Sequence, residues 1–534
     1  EVNLGLLPGA GGTQRLPRVT GVPKALEMMT SGDPIGSEEA LACGLIDEIV
    51  GDLRSGAVAF ARKVVAEGRP LQKIRDRSDK VAGVDPKVFA DFRAGIARKS
   101  RGFLAPEYNI RCVEAAVNMP FDEGMKFERK LFLELLGGTQ SAAQRHVFFA
   151  ERQVWKISDI PEDIALVPVK KVGIIGAGTM GGGIAMSLAN IGLPVTLVDA
   201  NAQGLERGLA RVRDNYATTV KRGKLAQADM DQRLTLITGS LLIADVKDAD
   251  MVIEAVFEDM ALKQDIFRQL DALAKPGAIL ATNTSGLDVD AIAAVTARPQ
   301  DVVGAHFFSP AHVMKLLEVV RAANTAPDVI ATLMDLGRRM GKIAVLARIY
   351  PGFIGNALFR NYTREAHFLV EDGALPHEVD AALKKFGYAM GIFAVHDMAG
   401  NDVGYQTRKA QMATRPTDRR WNDLILKLCD LGRMGQKSGK GWYRYPDLDK
   451  GDRTPQRRAV AHPGLEAQAR TAAQRPEHVL GGEAVLQLRL VLVLHRSVIL
   501  RITRGIPSAS PARAGSTSSP CRAARACGRR ARRE

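Results

Sequence analysis

The sequence predicts an α/β protein of several domains, with one parallel-sheet unit near its centre and a helical region before it. Three observations predict this. The chain has 534 residues, more than one hydrophobic core usually spans, and such a length suggests about two to four domains. Between residues 172 and 199 an apolar run, a glycine-rich turn, a helical pattern and a second apolar run follow one another, the order of a strand–helix–strand unit with parallel strands. Residues 21–150 instead repeat apolar positions at helical spacing, as in AVAFARKVVAEG at 57–68 and FERKLFLELL at 127–136, and do not make a complete sheet-containing domain. IPEDIALVPVKK, 160–171, with two prolines and little periodicity, reads as the linker into the sheet.

The net charge of +15 is not spread along the chain. Residues 489–534 hold eleven arginines, no lysine and one acid, a net +10. Their end, PSASPARAGSTSSPCRAARACGRRARRE, is of low complexity and carries no aromatic residue among its arginines. A disordered or non-native tail is expected there, and no nucleic-acid partner. AVLQLRLVLVLHRSVIL, 484–500, is interrupted by Arg489, His495 and Arg496 and is too short to cross a bilayer. Cys43, Cys112, Cys429, Cys521 and Cys527 form no CxxC pair, which fits a reducing compartment, and a cytoplasmic location is expected. No His, Cys and Asp cluster has metal-ligand spacing.

The most informative stretch is KKVGIIGAGTMGGGIAMSLANIGLPVTLVDA, 170–200. Val172 to Ile175 form the first strand, and Gly176-Ala177-Gly178-Thr179-Met180-Gly181 the turn. Gly176 permits the tight turn, Gly178 lets a pyrophosphate approach the backbone, and Gly181 lets the helix pack closely on the strand. Asp199, at the end of the second strand, is placed to accept hydroxyls of an adenosine ribose. Ala200, Asn201 and Ala202 follow it, with no arginine for a 2′-phosphate, so NAD is expected rather than NADP. The expected cofactor-binding residues here are Gly176, Gly178, Met180, Gly181 and Asp199.

Three further strands can be read, MVIEAVF at 251–257, AILATNTS at 278–285 and DVVGAHFFSP at 301–310, and then KLLEVV at 315–320. If the chain folds back near residue 312, positions whose numbers sum to 624 face one another, and His306 meets Glu318. A carboxylate that orients an imidazole and stabilises its cation makes a base able to take a proton from an alcohol. A strand histidine with a surface partner would show the same spacing.

GAHFFSPAHVMKLLEVV, ATNTSGL, PGFIGNAL and the glycine fingerprint, in this order, resemble the 3-hydroxyacyl-CoA dehydrogenases of fatty-acid β-oxidation. The resemblance implies an α/β chain with a Rossmann-type NAD-binding domain at 170–350 and an all-helical C-terminal domain at 351–446. It implies oxidation of a (3S)-3-hydroxyacyl-CoA, bound in the cleft between these domains, to a 3-oxoacyl-CoA. His306 would be the general base and Glu318 its partner. Ser285 would bond the substrate oxygen or the nicotinamide region, and Asn356 the thioester or hydroxyl end of the substrate. Glu258 and Lys263 match the pair that lines the cofactor cleft. Ser309 stands where single-function members typically have asparagine, and HFFSPAH is similar to the multifunctional branch; its hydroxyl still donates and accepts a hydrogen bond.

EVNLGLLPGAGGTQRL, 1–16, resembles an active-site segment of the crotonase family, which precedes the dehydrogenase in that branch. Glu1, eight residues before Gly9, stands where the family has one of two acids that act on water and the α carbon. Its partner acid and the oxyanion loop would lie upstream, so no useful hydratase activity is expected of this chain. Residues 1–60 would be the C-terminal part of a crotonase-like domain, apt to expose apolar surface, 61–169 connecting helices and linker, and 447–534 the basic tail. By the resemblance, a homodimer through the helical domain is possible. Two other readings compete: an inactive remnant of a disrupted multifunctional gene, and a basic-tailed binding module.

Overall fold

The computed structural model describes residues 1–410, 412, 415, 417, 418 and 420–446. The expected basic tail at 447–534 lies outside them. The chain divides into two compact units, residues 1–357 and residues 358 onward.

The first unit is built on an eight-stranded sheet in the order β3-β2-β1-β4-β5-β6-β7-β8. The strands are β1 Val172–Ile175, β2 Val195–Val198, β3 Ile237–Ser240, β4 Met251–Glu254, β5 Ile279–Thr282, β6 Val302–Phe307, β7 Leu316–Arg321 and β8 Ile343–Arg348. All neighbours run parallel except β6 and β7. Every residue of β1, β2, β4, β5 and β6 is buried, as expected of a parallel sheet covered by helices on both faces, which is why these strands read as unbroken apolar runs. The linker is fastened where it enters the sheet: the amides of Lys170 and Lys171 both donate to Asp250 Oδ2, at 2.7 and 2.9 Å. Pairing of β1 with both β2 and β4 makes the point between β1 and β4 the place where the strand order reverses. The crevice above the carboxyl ends of these strands is the usual ligand site of such sheets.

The N-terminal segment is better covered than the sequence suggests. Val2, Leu6 and Leu7 pack with Ala105, Cys112, Leu131 and Leu135, and Val22, Leu26 and Met29 with Phe89, Ile110 and Val113. Glu128, on helix Phe121–Gly137, accepts from Gly11 N at 2.7 Å and Thr13 N at 3.1 Å, so a buried carboxylate caps helix Gly12–Thr20 from across the fold. The expected apolar exposure is confined to Leu41, Leu45, Ile49, Leu53 and Val58. Helix Leu53–Ala66 buries none of its residues. Among the described residues no helix is long and apolar enough to cross a membrane.

The second unit is helical, with Pro376–Phe386, Ile392–Ala399, Asn401–Ala410 and Leu424–Asp430 among its helices. Two buried aspartates fasten the last of its described segments. Asp397 accepts from the amides of Trp442 and Tyr443 at 2.8 and 2.9 Å and from Tyr445 OH at 3.0 Å. Asp380 accepts from Tyr443 OH at 2.8 Å. Around Trp442 lie Phe393 and His367, and His367 meets His396 edge to face. Burial lowers His396 to about 4 and holds His367 well below its ordinary range, with the charges of His396 and Arg408 adding to the effect.

Both imidazoles are therefore neutral in the folded chain, whereas an unfolded histidine takes up a proton as pH falls through about 6.5. The contribution of His396 is present above that pH and is lost as pH falls toward 4, and that of His367 is lost in the same direction. Lowering pH from about 7.5 to about 5 should depress the melting temperature, and His396→Phe should reduce the drop. An unchanged pH dependence in that variant would contradict this.

Candidate active site

The glycine loop ends β1 and begins helix Thr179–Ala189. Gly176 has φ +105°, and a Cβ there would lie 2.7 Å from Ala255 O, so glycine is required on two grounds. A Cβ on Gly181 would lie 1.8 Å from Gly176 O; this is the close helix-to-strand approach read from the sequence. Gly178 is exposed, and nothing lies within 4 Å of where its Cβ would be. Met180 beside it is half-buried. Asp199 closes the loop, accepting from Ala177 N at 2.9 Å and from Asn201 N at 3.0 Å. Exposed backbone at a helix N-terminus, open space above it and a carboxylate at the end of β2 fit the pyrophosphate and ribose of a dinucleotide.

On the other side of the crevice, β6 and β7 pair in the register anticipated from the sequence, with His306 opposite Glu318. Nδ1 of His306 and Oε2 of Glu318 are 2.6 Å apart, and both side chains are buried. Glu318 accepts again through Oε1, from Ile354 N at 2.9 Å and Gly355 N at 2.7 Å, where helix Gly355–Glu371 begins. A buried carboxylate needs hydrogen-bond donors, and three converge on Glu318. The imidazole packs on Phe308 and Phe353, centroids 4.4 and 5.6 Å away. Phe353 is held at φ +46°, a left-handed conformation that a bulky residue adopts only under constraint from its surroundings. No described residue hydrogen-bonds Nε2 of His306. With Nδ1 donating to Glu318, Nε2 is the nitrogen free to accept a proton.

Between these parts lies the loop after β5. Glu258 accepts from Ser285 N at 2.7 Å, Ser285 Oγ at 2.9 Å and Thr284 Oγ1 at 2.8 Å. Asn356 Nδ2 donates to Ser285 O at 3.4 Å, so two expected site residues meet. Lys263 is fully buried beneath Glu258, with Nζ 3.5 Å from that carboxylate. Its nearer partner is Glu254, at 2.7 Å. Glu254 also accepts from Val256 N and Thr282 Oγ1, each at 2.8 Å. Sequence reasoning missed Glu254, Thr284 and Asn283, whose Oδ1 accepts from Phe307 N at 2.8 Å and ties the β5 loop to β6. The signal for Glu254 was an acid closing an otherwise apolar run, MVIE. Ser309 is exposed after β6. Glu1 is exposed at the start of the turn Val2–Leu4, outside the sheet that carries the other residues.

Family models match three parts of the chain: "3-hydroxyacyl-CoA dehydrogenase, NAD binding domain" at 171–349, "3-hydroxyacyl-CoA dehydrogenase, C-terminal domain" at 352–445, and "Enoyl-CoA hydratase/isomerase" at 1–77. The solved structure of FadB2 from M. tuberculosis is 34% identical over 52% of this chain and 99% of its own, with a TM-score of 0.50. The chain belongs to the 3-hydroxyacyl-CoA dehydrogenase family. A 3-hydroxybutyryl-CoA dehydrogenase from Escherichia coli K12 is 36% identical over 54% of this chain and 61% of that one, with a TM-score of 0.50. The human peroxisomal bifunctional enzyme is 42% identical over 83% of this chain and 64% of its own length. The chain thus spans less than two thirds of the length of that curated relative. Its NAD-binding domain is the eight-stranded unit that carries the glycine loop.

The Glu254–Lys263 pair should be structural. Lys263→Met leaves Glu254 buried without its cation and should cost about 3–5 kcal/mol in urea unfolding. A loss below about 1 kcal/mol would show that the pair does not hold the floor of the site.

Proposed function

We propose that the chain oxidises a (3S)-3-hydroxyacyl-CoA to the 3-oxoacyl-CoA, with NAD as acceptor. The observation that carries this is the 2.6 Å contact of His306 Nδ1 with buried Glu318, which leaves Nε2 as the base. NAD, when bound, accepts the hydride from C3 of the substrate. His306 takes the hydroxyl proton at Nε2, and Glu318 stabilises the imidazolium that results. Ser285 and Asn356, joined by their own hydrogen bond, would fix the reacting end of the substrate, and such positioning supplies much of the acceleration in proton and hydride transfer. Gly176, Gly178, Met180, Gly181 and Asp199 would hold the dinucleotide, Glu258 and Ser309 would line its reacting end, and Lys263 would support Glu258 from below.

The proposal extends to the whole protein. Residues 1–60 would belong to a hydratase domain in which Glu1 is a catalytic acid, 61–169 would connect it to the dehydrogenase at 170–350, and 351–446 would be the helical C-terminal domain of the dehydrogenase. A homodimer through the helical domain is part of the proposal. The bifunctional relatives from guinea pig and human are named peroxisomal. The cytoplasmic location expected from the sequence is therefore to be decided against a peroxisomal one by fractionation.

Purified chain with NAD and 3-hydroxybutyryl-CoA should form NADH, and His306→Gln should lower the rate by about 10³-fold. Glu318→Gln should lower kcat by at least about 10²-fold while the folded chain still binds NADH. NADH formation that survives His306→Gln would refute the assignment. NADH binding without turnover in the unaltered chain would favour the inactive-remnant reading.

A further inference from the structure

We propose that Arg211 is a phosphate-binding residue for the dinucleotide, acting together with the backbone amides of the glycine loop. The inference rests on the NAD-dependent reading above. Helix Ala202–Lys221 leaves β2 just after Asp199 and is pressed onto the loop: a Cβ on Gly208 would lie 2.3 Å from Ala177 O. Arg211 stands three residues further along, close to one turn, and so shares the face that Gly208 turns toward the loop. Its Nη1 donates to Thr179 Oγ1 at 3.3 Å.

Thr179 is the first residue of the helix that follows the loop, and it and Gly178 are exposed. Arg211 is exposed too, and no described acid lies within ion-pair distance of it. Asp199, the acid of this motif, accepts one backbone amide at each oxygen, from Ala177 N and Asn201 N, and makes no ion pair with Arg211. A guanidinium therefore waits beside the positive end of a helix with only a hydroxyl as acceptor. The guanidinium and the helix end contribute potential of the same sign, and an anion between them would be bound by both. A pyrophosphate oxygen offers a charged acceptor in place of the long bond to a neutral one, and the planar guanidinium suits paired phosphate oxygens. No arginine follows Asp199 directly; the arginine of this motif is fastened at the pyrophosphate end instead, which serves NAD.

The test is titration of the full chain with NADH, read by nucleotide fluorescence. Arg211→Gln should weaken NADH binding by about tenfold, flatten its salt dependence, and raise KM for NAD more than it lowers kcat. Arg211→Lys should recover part of the loss. Arg213→Gln, the same change of charge on another face of the helix, should stay within about twofold. Competition should show the loss for ADP-ribose and not for adenosine. If Arg211→Gln binds NADH as Arg213→Gln does, the role of Arg211 is overturned and the NAD reading stands. Equal losses for adenosine and ADP-ribose would also overturn a phosphate contact. Failure of the unaltered chain to bind NADH would overturn both.

Discussion

The hydrogen bond between His306 and Glu318 is the constraint around which the site is arranged. It exists because β7 runs antiparallel to β6 in a sheet that is otherwise parallel. A parallel neighbour would need a long crossover and would place a distant residue opposite the histidine; a short return brings one from only twelve positions away. The carboxylate is costly to bury, and its cost is offset by three donors: the imidazole and the amides of Ile354 and Gly355. Those amides open the helix that carries Asn356. One side chain therefore orients the His306 ring and fixes where the helix that carries Asn356 begins.

The same logic recurs at the floor of the crevice. Glu254 lies at the carboxyl end of β4 with no exposed surface, and Lys263, Thr282 and the Val256 amide satisfy it. Above it Glu258 gathers Ser285 and Thr284. Two acids stacked in this way share one lysine, which reaches both. The result is a loop after β5 held by charge-assisted hydrogen bonds, the stronger kind.

Much of this could be read from the sequence because it is local. The glycine loop is six consecutive residues whose spacing states their packing, and the His306–Glu318 pairing follows from where two apolar runs are broken by Pro310. Glu254 could not be read in the same way, since an acid ending a strand looks like any strand meeting solvent. Phe353 gave no sign either, because its left-handed backbone is imposed by the turn between Tyr350 and the helix start, where Phe353 N donates to Tyr350 O at 2.7 Å. The burial of the N-terminal segment was least legible of all. Glu128 caps Thr13 from 115 positions away, and no periodicity reports a contact of that range. The apolar residues of 1–31 therefore read as stranded when helices of 87–153 in fact cover them.

Glu318 fixes the His306 ring with its proton on Nδ1 and Nε2 free. NMR of the chain labelled with ¹⁵N in histidine, with His306 assigned by its disappearance in His306→Gln, reads that tautomer directly. In the neutral ring an Nδ1–H proton far downfield and an Nε2 shift typical of an unprotonated nitrogen are expected. An Nε2–H tautomer for His306 would contradict this.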